Sequence, residues 1–122
     1  MTKKEKMAKQ FFYQKAEELG LVVDFIINRG QIHLECAHTN TVAAYNFTTN
    51  EVLVEEVAIF IYSIESTYDM ILHELAHAIA GRSAGHGEEF VAVCKAIGCK
   101  GYKGVGNYYA PDMKVRLNKM FA

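Results

Sequence analysis

The stretch 70-MILHELAHAIAGRSAGHGEEF-90 places two of the chain's five histidines four residues apart around a glutamate, and a third nine residues further on beside a glycine. On a helix turning about 100° per residue, Tyr68, Ile71, Leu72, Leu75, Ala78 and Ile79 gather on one side, and His73 and His77 fall together on the opposite one. A core stripe and a polar pair are therefore compatible on one helix. Histidines at i and i+4 have Cβ atoms about 5–6 Å apart, which lets both imidazoles converge on one ion. Glu74 sits one residue round from His73, beside such an ion rather than on it, where it can take a proton from an activated water.

Two histidines are short of a catalytic zinc site, which usually offers three protein ligands and keeps a fourth position for water. The helix can end at Gly81, and 81-GRSAG-85 gives enough flexible chain to turn back before His86, the leading candidate for the third ligand. Glu88 or Glu89 could ligate instead, although acids in the first turn of a following helix are already accounted for by the helix dipole. That helix is expected over 87-GEEFVAVCKAIG-98, with Phe90, Val93, Cys94 and Ile97 as its apolar stripe and Gly98 as its stop. Upstream, a start near Ser63 or Ser66 is expected for the histidine helix, Ser66 to Asp69 having the shape of a capping box.

Working outward, 2-TKKEKMAKQFFYQKAEELG-20 spaces Met7, Phe11, Phe12, Ala16 and Leu19 as one amphipathic helix that stops at Gly20. The runs 21-LVVDFII-27 and 31-QIHLECA-37 flank Asn28-Arg29-Gly30 and read as two antiparallel strands. A third β segment is expected in 42-TVAAYNFTT-50, and a fourth strand starts near Val52 and leads on, across a break at Glu55-Glu56, toward the histidine helix. The glycines at 101, 104 and 106 suggest a loop before a last short helix near Pro111.

The 122 residues, 51% apolar and 22% charged, suit a single globular domain spanning 1–122. No run approaches the roughly 18 apolar residues of a membrane span, and the lysine-rich start lacks the apolar stretch of a signal peptide, so a cytoplasmic protein is expected. Cys36, Cys94 and Cys99 are irregularly spaced and without Cys-x-x-Cys pairs, so they read as buried thiols; His33 and His38 read as strand histidines. A net charge of −1 hides basic ends, Lys3, Lys4, Lys6, Lys9 and Lys15 at one and Lys100, Lys103, Lys114, Arg116 and Lys119 at the other. Such ends can contact DNA, though lysine-rich terminal helices are more often solvated faces.

The run His73-Glu74-Leu75-Ala76-His77-Ala78, then His86-Gly87 with Phe90 three residues on, then an alanine- and valine-rich helix closing at Ile97-Gly98-Cys99, resembles the SprT-like zinc metalloprotease domain, the family of the Spartan proteases. The resemblance is carried by residues 66–99. It implies a zincin-like α+β fold: an N-terminal helix, an antiparallel sheet of three to four strands, the His-Glu-x-x-His helix, a helix preceded by the third ligand, and a short C-terminal helix. It implies one zinc ion on His73, His77 and His86, Glu74 as general base, and hydrolysis of peptide bonds in protein substrates, some near DNA. The family's four-cysteine zinc ribbon has no counterpart after Cys99, so a short form is expected. Tyr102, Tyr108, Tyr109 and Arg116 are candidates for oxyanion stabilisation. The alternative function is a non-proteolytic binding module that zinc merely staples, acting on a protein or a DNA-associated partner; Glu74 argues against it, since a structural site has no use for a base.

Overall fold

The computed structural model describes residues 1–29 and 43–100. Outside the described residues lie the 31–37 segment with His33 and Cys36, as well as His38, the helix expected near Pro111, the basic tail beyond Lys100, and Tyr102, Tyr108, Tyr109 and Arg116.

The chain opens with helix α1 (Lys3–Glu18), begun by a full capping box in which Thr2 and Glu5 each accept the other's backbone N–H. Ala8, Phe12 and Ala16, four residues apart, form its buried ridge. Strands β1 (Asp24–Asn28), β2 (Ala43–Asn46) and β3 (Glu51–Glu55) make one sheet in the order β1-β3-β2. β2 and β3 pair antiparallel with Ala43 opposite Val54, as the tight turn between them requires. β1 pairs parallel to β3, Phe25 against Val52, so the described sheet is mixed and not the antiparallel one expected. The reason is range: the Asn28-Arg29-Gly30 signal is local, whereas β1 and β3 meet across a long connection that leaves no local mark.

β3 ends at the expected break, but the residues after it form a short helix, α2 (Glu56–Ile61), and not a continued strand. Val57, Ala58 and Ile59 are all buried, and a helix can bury three consecutive residues in a core corner where a half-exposed strand cannot. Lys4 Nζ donates to the carbonyls of Phe60 (3.3 Å) and Tyr62 (2.6 Å), satisfying acceptors at the end of α2. Helix α3 (Ile64–Ala80) follows, capped by Ser63, whose hydroxyl accepts the N–H of Ser66; Ser63 and not Ser66 is the cap. A 3₁₀ turn (Arg82–Ala84) leads to α4 (Glu88–Ile97), which closes at Gly98 in the left-handed region.

α3 lies between two apolar clusters. Ile71 and Leu75 join Phe12, Phe25, Val52, Val54, Ile59 and Tyr62 in the core shared with α1, α2 and the sheet. Leu72 and Ala76 join Phe90, Cys94 and Cys99 against α4. Two members of the expected stripe lie at its margin: Ile79 is exposed, and Tyr68 is half-buried, stacked on Phe11 with ring centroids 4.0 Å apart. Among the described residues no helix is long and apolar enough to cross a membrane.

Phe12 fills the main core, whereas Val22 is 90% exposed. Phe12→Ala should therefore destabilise the protein by about 3–5 kcal/mol and Val22→Ala by less than about 0.5 kcal/mol in urea titrations; equal costs would contradict this core.

Candidate metal centre

His73 and His77 project from consecutive turns of α3, and His86 stands in the loop just before α4. Ring centroids are 5.0 Å apart for His73 and His77, 5.4 Å for His73 and His86, and 4.7 Å for His77 and His86. Nε2 of His77 lies 3.0 Å from Nε2 of His86. One ligand atom from each ring falls within 4.8 Å of the other two, so the three residues could hold a metal ion. Ligands set tetrahedrally at about 2.0–2.1 Å from zinc are roughly 3.3 Å apart, a spacing that small ring rotations reach from here. Glu88 and Glu89, the alternative third ligands, are exposed on the first turn of α4 and are not in this group.

The return of His86 depends on backbone that only glycine adopts readily. Gly81, which ends α3, has φ 93° and ψ 164°, and Gly85 has φ 52° and ψ −126°. Between them the 3₁₀ turn is tied by Ala84 N–H to the Gly81 carbonyl (3.2 Å), and Gly87 N–H then returns to the Ala84 carbonyl (2.9 Å). The chain thus reverses within a few residues and brings position 86 beside position 77. A side chain at either glycine would strain this path by about 1–3 kcal/mol.

Beneath the imidazoles lies Phe90, 0% exposed. Its ring stacks on His77 at 4.3 Å and 24°, and meets His73 and His86 edge-on at 4.9 and 5.0 Å. The sequence places Phe90 in the apolar stripe of α4, but not under all three rings. The available signal was its spacing: four residues after His86, it stands one helical turn beyond the end of the loop. The histidine face of α3 is correspondingly less open than the two-sided wheel suggests, for His73 is only 7% exposed, His77 is half-buried and His86 alone is exposed.

Burial sets the protonation of the site. It pushes His73 down to about 4, with the neighbouring His77 and His86 adding to the shift, and pushes His77 down to about 4 with His86 adding. Near neutral pH these rings present lone pairs, as metal ligation requires. Nδ1 of His73 is buried with no hydrogen-bond partner among the described residues, so that ring is not fully satisfied by what surrounds it. Glu74, 6% exposed, has its carboxyl pushed up to about 8 by burial. Cys94 and Cys99 are buried thiols packed in the cluster with Phe90, as expected, and burial pushes the Cys94 thiol up.

Compared with known proteins, the chain matches the SprT-like family over residues 5–115. No curated protein and no solved structure matches it.

Gly85→Ala should weaken the affinity of the three-histidine group for added divalent metal in chelator competition, whereas Gly20→Ala, which strains a positive-φ glycine (φ 69°) at the end of α1, should leave it unchanged. Equal affinities for the two variants would show that the loop conformation does not set the site. A second expectation concerns the metal-free protein. Folded His73 and His77 titrate near 4 but unfolded histidine near 6.5, so acidification below 6.5 favours unfolding. Folded Glu74 keeps its proton up to about 8 but unfolded glutamate loses it near 4.5, so alkalinisation toward 8 also favours unfolding. Between 4.5 and 6.5 the two histidines outweigh the one glutamate. The three groups together therefore favour greatest stability near pH 6.5, with urea midpoints expected to decline between pH 6.5 and 8, and Glu74→Gln should abolish that decline.

Proposed function

The chain belongs to the SprT-like family, and from that premise we propose that it is a zinc-dependent metallopeptidase of zincin-like architecture, one domain over residues 1–122, hydrolysing peptide bonds in protein or peptide substrates. His73, His77 and His86 hold the ion and Glu74 is the general base. The observation that supports this most directly is the convergence of three imidazoles, from two turns of one helix and the loop preceding the next, with a buried glutamate adjacent to His73 in the same helix. A three-imidazole set with an open fourth position suits zinc best among the common divalent ions. Zinc bound there would act as a Lewis acid on the scissile carbonyl and bring the pKa of water toward neutrality.

The chain's own residues account for the remainder. Glu74 must accept a proton from water and return it to the leaving amine, which calls for a group whose acid and base forms are close in energy near neutral pH. Its burial supplies that balance by raising the carboxyl to about 8 before any cation acts on it. The neutral His73 and His77 offer lone pairs without first losing protons. Phe90 closes the base of the site with an apolar ring, excluding water from below and limiting how far the imidazoles can rotate.

Glu74→Gln should retain the parent's zinc content while its turnover of an unfolded protein substrate falls by about 10²–10⁴-fold. His86→Ala should instead lose zinc affinity. Zinc-loaded parent protein that cleaves no faster than Glu74→Gln would sink the proteolytic reading and favour a zinc-stapled binding module.

A further inference from the structure

The loop that carries His86 is held by a second element besides the helices it joins. Arg82, exposed in the 3₁₀ turn, lies with its guanidinium carbon 5.4 Å from the centroid of the Phe47 ring, and its Nη2 donates to Thr48 Oγ1 at 3.4 Å. Phe47 and Thr48 belong to the turn between β2 and β3. That turn is itself braced: the N–H groups of Thr48 and Thr49 donate to Asn46 Oδ1 at 2.9 and 3.1 Å, and Asn50 N–H donates to the Asn46 carbonyl at 2.8 Å. Asn50 Nδ2 reaches the Val22 carbonyl at 2.5 Å, and Phe47 packs edge-on to Tyr45 at 4.7 Å. Arg82 therefore rests on a fixed platform.

The segment it anchors is the one in need of anchoring. Residues 82–84 lie between Gly81 and Gly85, two backbone positions with wide conformational choice, and Ser83 and Ala84 have short side chains. Arginine suits the contact because its planar guanidinium can stack on a ring while its fork of N–H groups donates sideways; a lysine ammonium does not combine the two.

We propose that Arg82 is a positioning residue: seated on Phe47 and bonded to Thr48, it clasps the His86 loop to the β2–β3 turn and so sets where the third imidazole stands. This rests on the metal-centre reading above. The contact is exposed, so its effect is modest, about two- to fivefold in zinc affinity.

The test is a double-mutant cycle on the full chain, with zinc affinity read by chelator competition. Arg82→Ala and Phe47→Leu should each weaken binding by about two- to fivefold, the double variant should be no worse than either, and Phe47→Tyr, which keeps the ring, should bind as the parent does. Amide hydrogen exchange of the metal-free protein adds a reading that does not involve zinc. Arg82→Ala should speed exchange at Ala84 and Gly87 and leave the β3 amides alone. Unchanged zinc affinity in Arg82→Ala, or losses that multiply in the double variant, would overturn the proposal. If the parent binds no zinc, the metallopeptidase reading falls on its own, and exchange then decides the clasp: faster at Ala84 and Gly87 supports it, unchanged overturns it.

Discussion

A helix that buries Ile71 and Leu75 against a sheet and a neighbouring helix, buries Leu72 and Ala76 against a second helix, and still presents His73 and His77 has almost no freedom to rotate. Turning α3 by even part of one residue step would expose core on one side and drive imidazole into apolar contact on another. The two clusters on either flank therefore act as a rotational lock, and interiors packed to crystal-like density resist such displacements. Precision at the candidate metal centre thus comes from apolar packing by the immediate chain neighbours of His73 and His77. His86 has no such lock of its own, since it lies in a loop; its place is set by two glycines, two backbone hydrogen bonds and the packing of Phe90 one turn into α4.

Phe90 links these two regimes. It belongs to the α3–α4 cluster through Leu72, Ala76 and Cys94, and its ring touches all three imidazoles. A displaced Phe90 would disturb core and site together, so stability and ligand geometry are coupled through one side chain. The coupling runs the other way as well. A cation bound by two residues of α3 and one of the loop leading to α4 would cross-link that helix and loop in the folded state only, and its binding free energy would add to folding.

The histidine helix, its stop at Gly81, the second helix with Phe90 and Cys94 inward, and the grouping of His73, His77 and His86 were legible in the sequence because each leaves a local mark: i, i+4 spacing, a glycine after a periodic run, an apolar stripe. Three features were not legible. The parallel pairing of Phe25 with Val52 joins residues far apart in the chain, and alternation fixes which face of a strand is buried but not which strand lies beside it. The helix over Glu56–Ile61 is built from residues of high β propensity, Val57, Ile59 and Phe60, and tertiary burial overrode that preference. The burial of His73 followed from the approach of α4 to a face that a single-helix wheel leaves open. The contact of Arg82 with Phe47 belongs with these, since neither residue carries any signal of the other.

The electrostatic state of the site follows from the same enclosure. Around pH 7, His73 and His77 are neutral because burial disfavours their protonation, and Glu74 holds its proton because burial disfavours the carboxylate, so these three groups bring no net charge into the interior. A divalent cation reverses that balance. Bound at the three imidazoles it would be the largest local charge, and it would favour the ionised form of Glu74 and lower that group's pKa. The low-dielectric surroundings that made a lone carboxylate costly also strengthen its attraction to the cation. Under the proposed function, occupancy of the three imidazoles and release of the Glu74 proton would therefore be linked events, the carboxylate becoming available as a base where a cation is bound.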